Sequence, residues 1–254
     1  MLSVYEVQAQ RALVQEFTAS TVLLTTGDTL NGPLTLHADR DLLLVVMPDQ
    51  SVRTVSAVAV RAFAVRGEKT TRNSDYYNYY DFQDVRRGYY YGSPLWTMPP
   101  PPRQQRRDTS LVRVFRTLRW DRGNDYSDFK APAFFEQISN GPVMLLRRET
   151  LVERPINASP QFAGAAGFPY GGYGFPRGVT GYYTDLRDSF FLGTPQGNIV
   201  ALRNPRKDLL AYFNKEARQL ERFAKENKLS FTTARELAYL VNYANSLREA
   251  GNTQ

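Results

Sequence analysis

What most restricts this chain is a series of short apolar runs, each closed by residues with turn chemistry. Residues 21–26 (TVLLTT), 34–36 and 42–47 (LLLVVM) are separated by Gly27-Asp28, Asn31-Gly32-Pro33 and Asp39-Arg40-Asp41. Gly and Asn tolerate positive φ, and Asp bonds its own backbone, so these separators read as turns between strands. Residues 52–66 are rich in β-branched residues and Ala, enough for one or two further strands. Residues 143–152 follow the turn at Asn140-Gly141, and a hairpin is expected from 189–192 to 198–202 across Pro195-Gln196-Gly197. Six to nine such strands predict an α+β, mainly β chain: an antiparallel sandwich or partly open barrel.

Residues 111–120 read LVRVFRTLRW. A period of two puts Val112, Val114, Leu118 and Trp120 on one side of a strand, with Arg113, Phe115, Thr117 and Arg119 on the other. Arg116 interrupts the apolar side.

The close of the chain changes period. Leu209, Leu210, Phe213, Ala217, Leu220 and Phe223 recur at helical spacing, with Asn214 as a break and N-cap. Thr233-Ala-Arg-Glu236 has the form of a capping box, ahead of Leu237, Leu240, Val241, Ala244 and Leu247 on one face. Two insertions depart from both patterns. Residues 73–107 and 155–183 together hold 11 of the 16 Tyr, the first including Pro99 to Pro102 and the second rich in Gly and Pro. Long loops of this kind are functional or unstructured. The expected organisation is a lead-in at 1–17, a β domain over 18–203 carrying both insertions, and a helical pair over 204–249.

Composition removes several chemistries. Without Cys there is no disulfide framework, thiolate zinc site or thiol nucleophile, and a single His excludes multi-histidine metal sites. No run approaches the ~18 apolar residues of a membrane helix, so no transmembrane segment is expected. His37, Asp39 and Asp41 form the one metal-like cluster, but a turn at 39–41 would scatter them. Hydrolysis would need His37 with Ser93 or Ser189, and no Gly-x-Ser-x-Gly elbow is present. A carboxylate pair could act without His, but the sequence selects none. No catalytic residue, metal or cofactor is therefore expected.

Gly27-Asp28-Thr29-Leu30-Asn31-Gly32, between two strands, resembles a family of uncharacterised exported proteins of Bacteroidota-type Gram-negative bacteria. The close is similar as well: Phe191-Leu-Gly-Thr-Pro-Gln-Gly-Asn-Ile-Val-Ala-Leu202, Lys207-Asp-Leu-Leu-Ala-Tyr-Phe213, Lys225-Glu-Asn-Lys-Leu229 and Tyr243-Ala-Asn-Ser246. The resemblance covers roughly 18–68, 111–153 and 188–247. It implies a periplasmic or outer-membrane-associated protein of β-structure followed by C-terminal helices, and brings no catalytic residues. Members begin with a signal peptide, whereas 1–10 shows no basic residues followed by an apolar stretch; a cytoplasmic location is the alternative.

The chain carries 32 Lys+Arg against 25 Asp+Glu, a net +7. Residues 103–122 hold seven Arg against two Asp, net +5, interleaved with Phe115 and Trp120. That composition suits a protein or anionic envelope partner, or single-stranded nucleic acid through Arg103–Arg122. It equally suits a solvated strand face. The expectation is a non-enzymatic envelope protein that contacts its partner through Tyr79, Tyr80, Tyr89, Tyr90, Tyr91, Arg113 and Arg119, the nucleic-acid reading being the alternative.

Overall fold

A computed structural model describes residues 13–69, 110–121, 129–155, 182–194 and 196–251. The chain divides into two units. One comprises Met1–Thr71, Asp108–Thr150 and Arg187–Gln254 and holds every side chain whose contacts are described below. The other comprises Arg72–Arg107 and Leu151–Leu186, of which only 151–155 and 182–186 are described.

Ten strands are described: β1 (Val14–Leu24), β2 (Thr29–His37), β3 (Leu42–Val46), β4 (Val52–Ser56), β5 (Val60–Lys69), β6 (Arg113–Trp120), β7 (Ala131–Gln137), β8 (Met144–Pro155), β9 (Tyr182–Gly193) and β10 (Ile199–Ala201). They form one sheet in the order β10-β9-β8-β7-β6-β5-β1-β2-β3-β4, with antiparallel registers. The sheet does not close. Three helices follow: α1 (Pro205–Tyr212), α2 (Ala217–Glu226) and α3 (Ala234–Gly251). The mainly antiparallel architecture with C-terminal helices is thus as expected, with three helices described where a pair was read.

The start differs from the expected lead-in. Residues 14–17 already belong to β1, and Phe17 is buried. A bulge hides this in the sequence. Phe17 pairs with Leu34 and Ser20 with Gly32, so Thr18 and Ala19 together oppose Pro33. Proline has no N–H for the ladder, and an extra residue opposite it accommodates the gap. Asn31-Gly32-Pro33 is therefore strand interior and not a turn. Gly32 is required there, because a Cβ would run into the Val46 carbonyl.

β7 has no counterpart in the expected strands. Its Phe-Phe doublet conceals alternation, because both faces are buried. Phe134 belongs to the core cluster of β1–β6, while Phe135 packs on the reverse face with Ala133, Leu146 and Phe191. The face of Phe134 continues along β7 to Glu136 and then towards Ile138, which packs against the helix-covered core. That second core brings Val143, Leu145 and Leu192 against Leu209, Leu220, Leu237 and Leu240. A charged residue thus stands on one face between two apolar clusters.

The helices end where their local chemistry directs. Asn204 caps α1, its side chain accepting from the Lys207 N–H at 3.3 Å, with Pro205 at the first helical position. The break falls at 213–216, with Glu216 in the cap position of α2 and not Asn214. Thr233 accepts from the Glu236 N–H at 3.3 Å and donates to its carboxylate at 2.7 Å, which begins α3. Near its end, the Asn245 amide donates to Val143 O at 2.8 Å while its carbonyl accepts from Val143 N–H at 3.3 Å, pinning α3 to the start of β8. Gly141 makes room for that amide, since a Cβ there would press on Asn245.

Candidate functional site

The largest concentration of charge in the described sheet is internal. Arg113 on β6 donates to Glu136 Oε1 and Oε2 at 2.8 Å each, to Glu68 at 2.8 Å and to Glu149 at 3.4 Å. Its side chain is only 12% exposed, and those of Glu136 and Glu149 are 7% and 5% exposed. Arg147 on β8 donates to Glu136 at 2.7 Å and lies 3.5 Å from Asp188 on β9. Gln15 on β1 completes the set, donating to Glu149 at 2.6 Å. Six neighbouring strands thus contribute to one network.

The electrostatics follow from this closure. Burial alone would raise the Glu136 pKa, but the hydrogen bonds and charge of Arg113, then those of Arg147, outweigh it and hold the carboxyl below the ordinary range. Burial would likewise lower the Arg113 pKa, and Glu136, Glu149 and Glu68 more than reverse that. Arg147 is raised in the same way, burial being overcome by Glu136, Glu149 and Asp188. Such groups stay charged and paired near neutral pH. The accompanying cavity, lined by Gln15, Arg113, Phe134, Glu136 and Glu149 among others, measures about 20 Å³, room for one water. The geometry suits cohesion between strands better than turnover of a substrate.

A second internal pair lies close by. Arg148 donates to both Asp41 oxygens, at 2.7 and 3.1 Å, and to the carbonyls of Phe134 and Ala38. Asp41 also accepts from the Phe134 N–H at 2.8 Å. The guanidinium stands 5.1 Å from the Trp120 ring centroid. Asp41 adopts φ 53° in the turn before β3, a conformation Asp tolerates better than most residues. Of the metal-like trio, Asp41 is therefore turned inward to an arginine, whereas Asp39 lies 3.8 Å from the exposed Arg40. Among the described residues no group of three His, Asp or Glu is placed to hold a metal.

The partner residues read from the sequence are dispersed. Tyr79, Tyr80, Tyr89, Tyr90 and Tyr91 lie outside the described residues, as do Arg103, Arg106, Arg107 and Arg122 and the candidate Ser93. Arg113 and Arg119 were expected to share an open face, and this needs correction: Arg113 is enclosed, whereas Arg119 is exposed. β6 changes its buried side along its length. At its start Phe115 stacks on Phe63 with centroids 4.7 Å apart, leaving Val114 partly open. At its end Leu118 and Trp120 pack on the opposite face against the Phe135 cluster. Arg116 is exposed and bonds Gln137 across the strands. Just ahead of the strand, Leu111 and Val112 are each 62% exposed.

Sequence reading also passed over a basic face on α2, where Arg218, Arg222 and Lys225 are exposed. Their i, i+4, i+7 spacing was the available signal. No described helix is long and apolar enough to cross a membrane. No family model, curated protein or solved structure matches the chain.

Proposed function

We propose that the chain is a non-enzymatic binding protein of the cell envelope, whose β scaffold presents contacts to a protein or anionic envelope partner. The observation that carries this reading is the surface at 111–119. Leu111 and Val112 are largely exposed there, and Arg116 and Arg119 stand exposed on the strand that follows. This stretch directly succeeds the insertion containing Tyr79, Tyr80, Tyr89, Tyr90 and Tyr91. Arg is enriched at binding hot spots, and exposed apolar side chains next to it give a partner surface to bury. The internal arginines support it from the other side, since their carboxylate partners hold the strands that carry the surface. The envelope location rests on the Gly27–Gly32 motif and the resemblance it carries.

Fractionation of the native host tests the location, with recovery in the periplasm or outer membrane expected and recovery in the cytosol contradicting it. Cross-linking in the same host tests the surface. Deleting 76–105, or combining Val112→Asp with Arg119→Glu, should reduce the cross-linked adduct while leaving thermal unfolding unchanged. An undiminished adduct in both variants would remove this surface from the reading.

A further inference from the structure

α2 has two sharply different sides. Leu220 and Ala224 are buried, and Phe223 stacks on Tyr243 of α3 with ring centroids 4.0 Å apart. At 3.6 residues per turn, Arg218, Arg222 and Lys225 fall within an arc of about 60° on the opposite side. All three are exposed, and none makes an ion pair among the described residues. Of the acids on and beside the helix, Glu221 pairs with Arg206 at 3.1 Å and Glu216 with Arg248 at 3.5 Å. Glu226 is exposed at the edge of the stripe and makes no ion pair with it. Lys215 and Lys228 are exposed just before and just after the helix. Across 203–228 eight Lys and Arg stand against four Asp and Glu, so this short segment carries +4 of the chain's +7.

We infer that this face of α2 docks on an anionic phospholipid surface. The inference rests on the envelope reading for its cellular setting and gives that reading a specific partner. Charge complementarity is the main argument, and the residue types choose among polyanions. The outward positions of α2 are Arg218, Gln219, Glu221, Arg222, Lys225 and Glu226, with no apolar or aromatic anchor. A protein interface would centre on such anchors and be poor in Lys. Single-stranded nucleic acid would call for exposed rings on which bases stack. Long, unpaired cations with no fixed acceptor suit interchangeable headgroups spread over a plane. The apolar side of the helix is occupied by the core, so the contact is electrostatic and the helix does not insert. Lys225 also borders an open groove of about 630 Å³ with Arg206, Glu221, Ser230, Phe231 and Thr232, where Arg206 and Glu221 pair with each other and Lys225 is the cation left for a headgroup.

Co-sedimentation of the full chain with vesicles provides the test. It should bind vesicles of phosphatidylglycerol mixed with phosphatidylcholine, ignore phosphatidylcholine alone, and release at about 1 M salt, where screening acts within about 3 Å. Combining Arg218→Gln, Arg222→Gln and Lys225→Gln should lower the partition coefficient on the order of 100-fold, since each cation near an anionic surface contributes about a factor of five. Gln is a good helix former, so the circular dichroism melt should not move. Arg61→Gln with Arg66→Gln, exposed positions on β5, should change binding only a few-fold. Equal loss in that control, no binding to anionic vesicles, or tighter binding to an oligothymidine than to vesicles would each overturn the inference. Vesicle binding by a protein found in the cytosol would overturn the envelope location and leave the lipid-binding face intact. Envelope recovery without vesicle binding would do the reverse.

Discussion

Arg113 and Arg222 are the same residue put to opposite uses. Arg113 lies within a closed network, with carboxylates from β5, β7 and β8 on its donors. Arg222 projects from α2 with no ion pair among the described residues. The difference is one of context: a guanidinium in a sheet interior must be paired, because an uncompensated buried charge costs several kcal/mol. On a helix exterior it can remain hydrated and available to a counter-charge. Net charge along a segment therefore says little about where an anion binds. Which cations are already neutralised by neighbours in space says much more.

If this division holds, the largest effects belong to the internal arginines. Arg148→Ala would strand Asp41, 4% exposed, without its guanidinium, and should cost about 3–5 kcal/mol in urea denaturation. Arg113→Ala should fall in the same range, for Glu136 and Glu149. A loss below about 1 kcal/mol in either would place that arginine with the surface group. Asn245→Ala comes next. It removes both bonds that α3 makes to the Val143 N–H and carbonyl among the described residues, and about 1–3 kcal/mol should follow from the unsatisfied backbone.

The pH response is a further test with a definite sign. The Glu136 carboxyl sits lower in the folded state than in the unfolded chain. Its stabilisation is therefore fully present above the unfolded value of about 4.3, and is lost as pH falls through the folded value. Urea midpoints taken from pH 6 downward should decline below about pH 4.3. Glu136→Gln should flatten part of that decline; an unaltered profile would show that Glu136 does not carry it. The smallest effect is expected on α2, where Arg222→Gln should change stability by no more than about 0.5 kcal/mol.

Much of the fold is legible in the sequence because local chemistry and tertiary structure agree. The turns at 27–28 and 39–41 fall between strands, and Thr233 caps α3 as its spacing indicates. The misreadings arise where the information is non-local. The turn-like Asn31-Gly32-Pro33 becomes strand because β1 bulges opposite Pro33. β7 is obscured because each of its phenylalanines enters a different core. The face of β6 follows the carboxylates that meet Arg113, which lie 23, 36 and 45 residues away. No window along 111–120 contains them. The α2 stripe is the opposite case: its spacing is wholly local, and attention to the apolar positions alone conceals it.

The most direct single measurement is a urea denaturation series on the full chain, with Arg113→Ala alongside the combined Arg218→Gln, Arg222→Gln, Lys225→Gln variant. The first should lose about 3–5 kcal/mol. The second should stay within about 0.5 kcal/mol of the parent for each exposed site. A comparable loss in both, or the larger loss in the α2 variant, would contradict the separation of structural arginines from available ones.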